Sequence, residues 1–351
     1  MQGWHGVAAA LLLTLSLLGC HAQATSQKSG VYTLRYGSPY TPNHPFSRAD
    51  IAWMHHVEEL SHGRLKIQPF WGGGLTSSDY SVIELQHGVV DIALITPIYA
   101  PSGMQLLKTQ TGFYEGARTS LQQVELYKCL AHKFPAFQHE LSGIHVLAVQ
   151  GGSLPNLLTR GRPVRNVQDL AGLRLRAPEE LIPVLEHFGA GAVAMPMADV
   201  YSAMSKGIID GVVAPTDTLK TLHFNEVGHF MNMLVVPRGA YPARAISDRA
   251  WRNLPPDLQM VLTESETFWE GQLDNKIATD EEAGAVFGKA HGIEFVAFDP
   301  SSQSQFSRAY DSIENQKADG LAKYAIPGGQ IFTEARRLVN QKRTDNNIVC
   351  E

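Results

Sequence analysis

The chain has 351 residues, with 29 Lys and Arg against 34 Asp and Glu for a net charge of −5, and 44% of it is hydrophobic. At roughly 150 residues per domain this length predicts about two globular domains, and only 18% charged residues beside abundant large aliphatics exclude disordered and fibrous classes. The mild acidity argues against a nucleic-acid binder, which carries a basic face, and three cysteines are too few for a disulfide scaffold.

Residues 7–18 (VAAALLLTLSLL) form an uncharged apolar run of twelve, too short to span a bilayer and suited to the core of a signal peptide. The preceding MQGWHG has no Lys or Arg, so the terminal amine supplies the positive end. Two processing sites compete. Leu17-Leu18-Gly19-Cys20 has the form of a bacterial lipobox, which would lipidate Cys20 and remove residues 1–19; Ala22-Gln23-Ala24 is a small-x-small site that would remove residues 1–24. Either route delivers a soluble protein across the cytoplasmic membrane to the periplasm, lipid-anchored in the first case. Cys129 and Cys350 then remain in an oxidising compartment, either bridged, tying the tail 346–351 to a helix of the first half, or as two unpaired thiols.

Residues 31–37 alternate like a strand and enter the Pro-rich loop 38–45. A helix follows over about 47–61, with Ala49, Trp53, Val57 and Leu60 at spacings of three or four and Gly63 as its stop. Residues 64–70 read as a second strand, Trp71 to Gly74 as a tight loop, 78–87 as a helix, and 90–96 as a near-continuous apolar strand of the kind buried on both faces. This β-α-β-α-β order implies an α/β sheet with helices on its faces. Further strands are expected at 144–150, 173–176, 192–195, 210–214, 230–236 and 241–246, with helices at about 179–188 and 198–206. From Pro255 to Ala290 runs one helical pattern of about 54 Å, which must lie across both domains or break, with Gly284 and Gly288 as the places for a kink.

Catalytic signatures are scarce: there is no G-x-S-x-G elbow, no H-E-x-x-H, no phosphate-binding loop and no paired C-x-x-C. His55, His56 and His62 are the densest histidine cluster, but the first two point to different sides of a helix and the third lies past its end, so surface histidines are expected and no metal site. Gly72 to Gly74 fit an anion cradle or a plain turn. Arg176 closes a buried strand at the end where α/β sheets keep their ligand crevice; there it can grip a carboxylate through two parallel hydrogen bonds, or be a solvated strand-end Arg like Arg174.

The pattern Asp169-Leu170-x-Gly172-Leu173-x-Leu175-Arg176-x-Pro178, then Gly189-Ala190, Met195-Pro196, Val200-Tyr201 and Gly207-x-x-Asp210-Gly211, resembles the core signature of the DctP-like substrate-binding proteins of TRAP transporters. Ser61-x-Gly63-Arg64, Gly88 to Ala93 and Trp251-x-x-Leu254-Pro255 extend the likeness over nearly all of the mature chain. The resemblance implies a periplasmic binding protein type II-like fold: two α/β domains, 25–150 with 237–282 and 151–236 with 283–345, around a cleft and joined by a long spanning helix. It implies a binding protein rather than an enzyme, with no cofactor, which delivers a small organic acid to a small and a large membrane subunit. Arg176 matches the family's carboxylate-pairing Arg. Against the sialic-acid-binding members, Asn156 stands where a second Arg lies, Ala214 where an Asn lies, and Met197 where an aromatic lines the pocket. Fewer polar groups suggest a small or apolar monocarboxylate, a keto, hydroxy or aromatic acid. The loops at strand ends add Tyr40, Thr41, Trp71, Gly74, Thr96 to Ile98, Thr216 and Tyr241 as pocket residues. The competing readings are an exported α/β hydrolase, and a solute-binding protein serving an ABC importer or a sensor kinase.

Overall fold

A computed structural model describes residues 30–341 and 347–350. The apolar run 7–18, Cys20 and both expected cleavage sites lie outside the described residues. The strands are β1 (Tyr32–Gly37), β2 (Leu65–Phe70), β3 (Ile92–Leu94), β4 (Ile144–Gln150), β5 (Asn156–Thr159), β6 (Arg174–Arg176), β7 (Gly191–Val193), β8 (Gly211–Ala214), β9 (Phe230–Asn232), β10 (Tyr241–Ser247) and β11 (Glu294–Val296).

They form two sheets, in the orders β2-β1-β3-β10-β4 and β11-β9-β5-β8-β6-β7. The chain leaves the first sheet after β4 and enters the second as β5; it leaves the second after β9 and returns to the first as β10. These two entering strands pair antiparallel with their neighbours, while β1, β2 and β3, and likewise β6, β7 and β8, pair in parallel. Period-two alternation then builds the layers. Ile92 and Leu94 point into a core with Trp53 and Trp269, and Ala93 and Ile95 into one with Leu126 and Phe332 on the other face. In the second sheet Leu157 and Val213 face one core and Leu158, Val212 and Ala214 the opposite one. Burial on both faces is why β3 and β8 carry no polar side chain.

The expected helix over 255–290 is present, but its interruption is not at Gly284 or Gly288. Helix Pro256–Glu264 stops at Ser265 and helix Glu266–Ala290 begins beyond it. Ser265 is fully buried; its hydroxyl donates to the Leu262 carbonyl (2.8 Å) and accepts from Trp53 Nε1 (2.8 Å), so a side-chain contact holds the break. The two glycines are instead sites of close approach. A β-carbon at Gly284 would stand 2.5 Å from the Thr216 carbonyl oxygen, and one at Gly288 2.5 Å from Leu219 Cδ1. The long helix thus lays Trp269, Leu273 and Ile277 on the first lobe and its glycine end against residues 216–219 of the second.

Strand 90–96 shortens to β3 and 230–236 to β9, and β5, β11 and the helices Gln105–Thr109, Ser120–Lys133, Pro300–Gly320 and Gly328–Asn340 add to the expected elements. The last of these helices buries Ile331, Phe332, Ala335 and Leu338 in the first-sheet core. Cys129 and Cys350 are bonded, which pins the C-terminal segment to helix Ser120–Lys133.

One buried pair ties the first lobe together. Asp50 on helix Pro45–Leu60 and Arg244 on β10 both have fully buried side chains, with Arg244 Nε 2.9 Å from Asp50 Oδ1. Tyr36 Oη donates to Oδ2 (2.5 Å) and Trp269 Nε1 to Oδ1 (2.8 Å), while a second Arg244 nitrogen donates to Gln150 at the end of β4. Asp50→Ala leaves that guanidinium uncompensated and is expected to cost about 3–5 kcal/mol in denaturant unfolding. A cost below about 1 kcal/mol would show that the pair does not anchor the lobe.

Candidate functional site

A cavity of about 110 Å³ lies between the two sheets, several times the space one water needs. Loops at strand ends line it: Tyr40 after β1, Ile98 and Tyr99 after β3, Arg176 ending β6, Pro215 and Asp217 after β8, and Arg238 on the crossover into β10.

Arg174 and Arg176 sit two apart on β6 and have opposite fates. Arg174 is exposed and forms an ion pair with Asp210 (2.7 Å). Arg176 is 2% exposed and, among the described residues, has no carboxylate at ion-pair distance. Its Nε donates to the Met195 carbonyl (2.9 Å), Nη1 reaches the Val213 carbonyl (3.5 Å), and Nη2 donates across the cleft to Tyr99 Oη (2.8 Å). Pro178 keeps the strand from continuing past this point. Neutral oxygens hold the guanidinium in place and leave its positive charge for something else in the cleft.

The phenols of Tyr40, Tyr99 and Tyr241 gather near this cation. Burial raises the Tyr40 pKa, its phenol neighbours Tyr99 and Tyr241 adding to the shift, while Arg176 and Arg238 pull it back. His44 stacks on Tyr40 with ring centres 4.1 Å apart; burial first, then Arg244 and Arg48, push its pKa down to about 3, so the ring is neutral. Burial and the nearby Glu281 push Asp217 up to about 7. Burial also raises Glu180, against the pull of Lys317. The cleft therefore has two fixed cations, the raised phenols of Tyr40 and Tyr241, and two carboxyls whose ionisation is held back.

Of the residues expected from sequence, Arg176, Tyr40, Met197, Tyr241 and Ile98 line this cavity. Thr96, Ala214 and Thr216 sit behind it. Thr96 is buried and hydrogen-bonds Ser78 and Ser81, fixing the turn Pro97–Tyr99; Ala214 is buried at the end of β8; Thr216 receives a capping carboxylate from Glu281 on its N–H (3.1 Å). Thr41, Trp71, Gly74 and Asn156 are not among the lining residues. Trp71 packs edge-on against Tyr36 (5.5 Å), and Asn156 pairs in register with Ala214. The N–H groups of Gly72, Gly73 and Gly74 are taken by the carbonyls of Tyr40, Ser38 and Trp71, so this loop is a plain turn rather than an anion cradle. His56 lies flat on Phe268 at 3.9 Å, and among the described residues no group of three His, Cys, Asp or Glu side chains is placed to hold a metal. Sequence reasoning missed Arg238, Tyr99, Asp217 and Glu180. Arg238 follows directly on the strand expected at 230–236, and an Arg at a domain crossover was the available signal.

Residues 37–319 match the DctP family, the bacterial extracellular solute-binding proteins of family 7, and the chain belongs to that family. Among its relatives, the 2,3-diketo-L-gulonate-binding periplasmic protein YiaO of Escherichia coli is 26% identical over 79% of this chain and 83% of its own length. The fold is shared with a TRAP periplasmic solute binding protein from Bordetella bronchiseptica holding (R)- and (S)-mandelate, at a TM-score of 0.77 and 19% identity over 88% of this chain and 99% of that one. It is shared equally with a TRAP solute binding protein from Rhodoferax ferrireducens in complex with copurified benzoate, at a TM-score of 0.75 and 23% identity over 88% of this chain and 98% of that one. The two-sheet α/β architecture is thus the type II-like fold of periplasmic binding proteins.

Beneath the cavity, Lys317 Nζ donates to the Glu180 carbonyl (2.9 Å) and to Glu314 Oε1 (3.3 Å), while the other Glu314 oxygen is buried without a hydrogen-bond partner. Burial pushes Glu314 up to about 8 against the pull of Lys317. An acid raised in the folded state contributes stability that is full below its unfolded pKa near 4.3 and is lost as pH rises through the folded value. Glu314→Gln should therefore gain Tm relative to the parent between pH 5 and pH 8, by roughly 2–4 °C for each kcal/mol released. A Tm difference independent of pH would contradict this assignment.

Proposed function

We propose that the protein is the extracytoplasmic solute receptor of a TRAP-type transporter, capturing a small organic acid through Arg176 and delivering it to the small and large membrane subunits. The observation that carries this reading is the buried Arg176 guanidinium, which lines the cleft and is held by neutral oxygens with no acidic partner among the described residues. A desolvated cation of this kind gains most from a ligand carboxylate, which takes two of its N–H groups in parallel. Tyr40, Phe46, Tyr99 and Tyr241 enclose an apolar body beside that carboxylate, which supports a monocarboxylate with a compact or aromatic frame. The acids named for the structural neighbours, mandelate and benzoate, are of this class.

Binding then closes two bodies on each other: residues 31–150 with 237–282 and helix Gly328–Asn340, and 151–236 with the chain from 283 to the end of helix Pro300–Gly320. Helix Gly328–Asn340 packs on the first body and moves with it. Arg176 belongs to the second body and Tyr99 to the first, so the hydrogen bond between them links the two sides of the cleft. No side chain in this reading acts as a nucleophile or proton carrier, and the function is binding without catalysis. A periplasmic receptor needs an export segment, which the sequence reading puts at residues 1–24, with Cys20 as the alternative lipid anchor.

Isothermal titration of the ligand-free protein against small monocarboxylates tests this directly. Arg176→Met should weaken every acid that binds by about a hundredfold or more, a few kcal/mol for a desolvated charge pair, with little change in Tm. A loss of less than about threefold would remove Arg176 as the carboxylate partner.

A further inference from the structure

Arg238 is the second cation of the cleft, and nothing in the protein uses it. It lies on the crossover 233–240 between β9 and β10 and lines the cavity, yet among the described residues it makes no hydrogen bond or ion pair. Its guanidinium rests on the backbone of Gly152, on the other crossover: a β-carbon there would stand 2.4 Å from Arg238 Cζ. Gly152 in turn is fixed by Gln123, which donates to its carbonyl (3.0 Å) and accepts from its N–H (2.8 Å). Glycine at this position leaves the guanidinium room where it lies, and the two hydrogen bonds to Gln123 hold the crossover beneath it.

Asp217 lines the same cavity, near enough for Arg238 to oppose the rise in its pKa but beyond ion-pair distance. Its backbone N–H is taken by Glu281, and its carboxylate accepts a hydrogen bond from Thr221 Oγ1 at 3.3 Å, with its second oxygen left over. The cleft therefore presents, in Arg238 and Asp217, a donor and an acceptor with unfilled hydrogen-bonding capacity.

We infer that Arg238 and Asp217 form a second polar subsite, which receives a hydroxyl group that the ligand carries away from its clamped carboxylate. The inference rests on the Arg176 reading above and adds to it what the far end of the ligand must be. A hydroxyl accepts from the guanidinium and donates to the carboxyl oxygen, so it satisfies both groups. A second ligand carboxylate would satisfy Arg238 but bring no donor to the Asp217 oxygen.

Titration calorimetry with two matched series tests the assignment: benzoate, 3-hydroxybenzoate and isophthalate, then butyrate, 4-hydroxybutyrate and glutarate. In at least one series the hydroxy acid should bind roughly tenfold or more tighter than the plain acid, the worth of a hydrogen bond to a charged group. Arg238→Met, shown by its melting curve to be folded, should collapse that ratio to about twofold or less, and Arg238→Lys should restore part of it. Arg176→Met should weaken plain and hydroxy acids together and leave the ratio standing. A dicarboxylate that binds tightest, or a hydroxy preference that survives Arg238→Met, overturns the inference and leaves the Arg176 reading intact. Failure of every acid to bind the parent protein overturns both.

Discussion

Burial of a guanidinium without a counter-ion is the constraint on which the cleft depends. Arg176 has given up almost all of its water, and the partners that replace it are two backbone carbonyls and a phenol, none of them charged. An unpaired buried charge is costly, and folded chains keep one where a ligand will supply the missing partner. The surrounding groups agree with that role. His44 is kept neutral, Tyr40 and Tyr241 stay protonated, and burial raises the carboxyls of Asp217 and Glu180, which suits the proposed place for a ligand carboxylate.

The scaffold that holds this site open is organised by a different pair. Asp50 and Arg244 join the first helix, the return strand β10, the end of β4 and the long helix through one set of buried hydrogen bonds. From this anchor two crossovers and one helix reach the second sheet. The helix runs past Ser265, crosses the first core with Trp269, Leu273 and Ile277, and comes so close to the backbone of residues 216–217 that Gly284 has no room for a side chain, with Gly288 against Leu219. Those residues follow β8 and include Asp217, so the spanning helix sets the position of the second-lobe wall of the cleft. Glu281 completes the link by capping the N–H groups of Thr216 and Asp217.

Much of this was legible in the sequence where periodicity was strong. Strand 144–150 falls on the residues expected for it, and the first helix and the 255–290 pattern follow their apolar spacing. Arg176 was legible as a strand-end Arg, and its contrast with Arg174 emerged only when burial separated them. Elements with little pattern were missed: β5 is only four residues, all buried and with its polar Asn156 and Thr159 at the two ends, and helix Pro300–Gly320 has few large apolar side chains. The start of that helix did carry a signal, since Asp299 accepts from the Ser302 N–H and is followed by Pro300 at the first turn. The break at Ser265 and the cleft position of Arg238 depend on contacts with Trp53 and Gly152, more than 80 residues away in each case, and no local rule reaches that far.

The most direct measurement is a crystal structure of the protein purified from cells without unfolding, together with mass spectrometry of the small molecule released from the same preparation. The expected result is an organic acid between the two sheets, with its carboxylate oxygens within hydrogen-bond distance of the Arg176 guanidinium. A ligand without a carboxylate, or an acid whose carboxylate is bound elsewhere while Arg176 keeps only its neutral partners, would contradict the central claim.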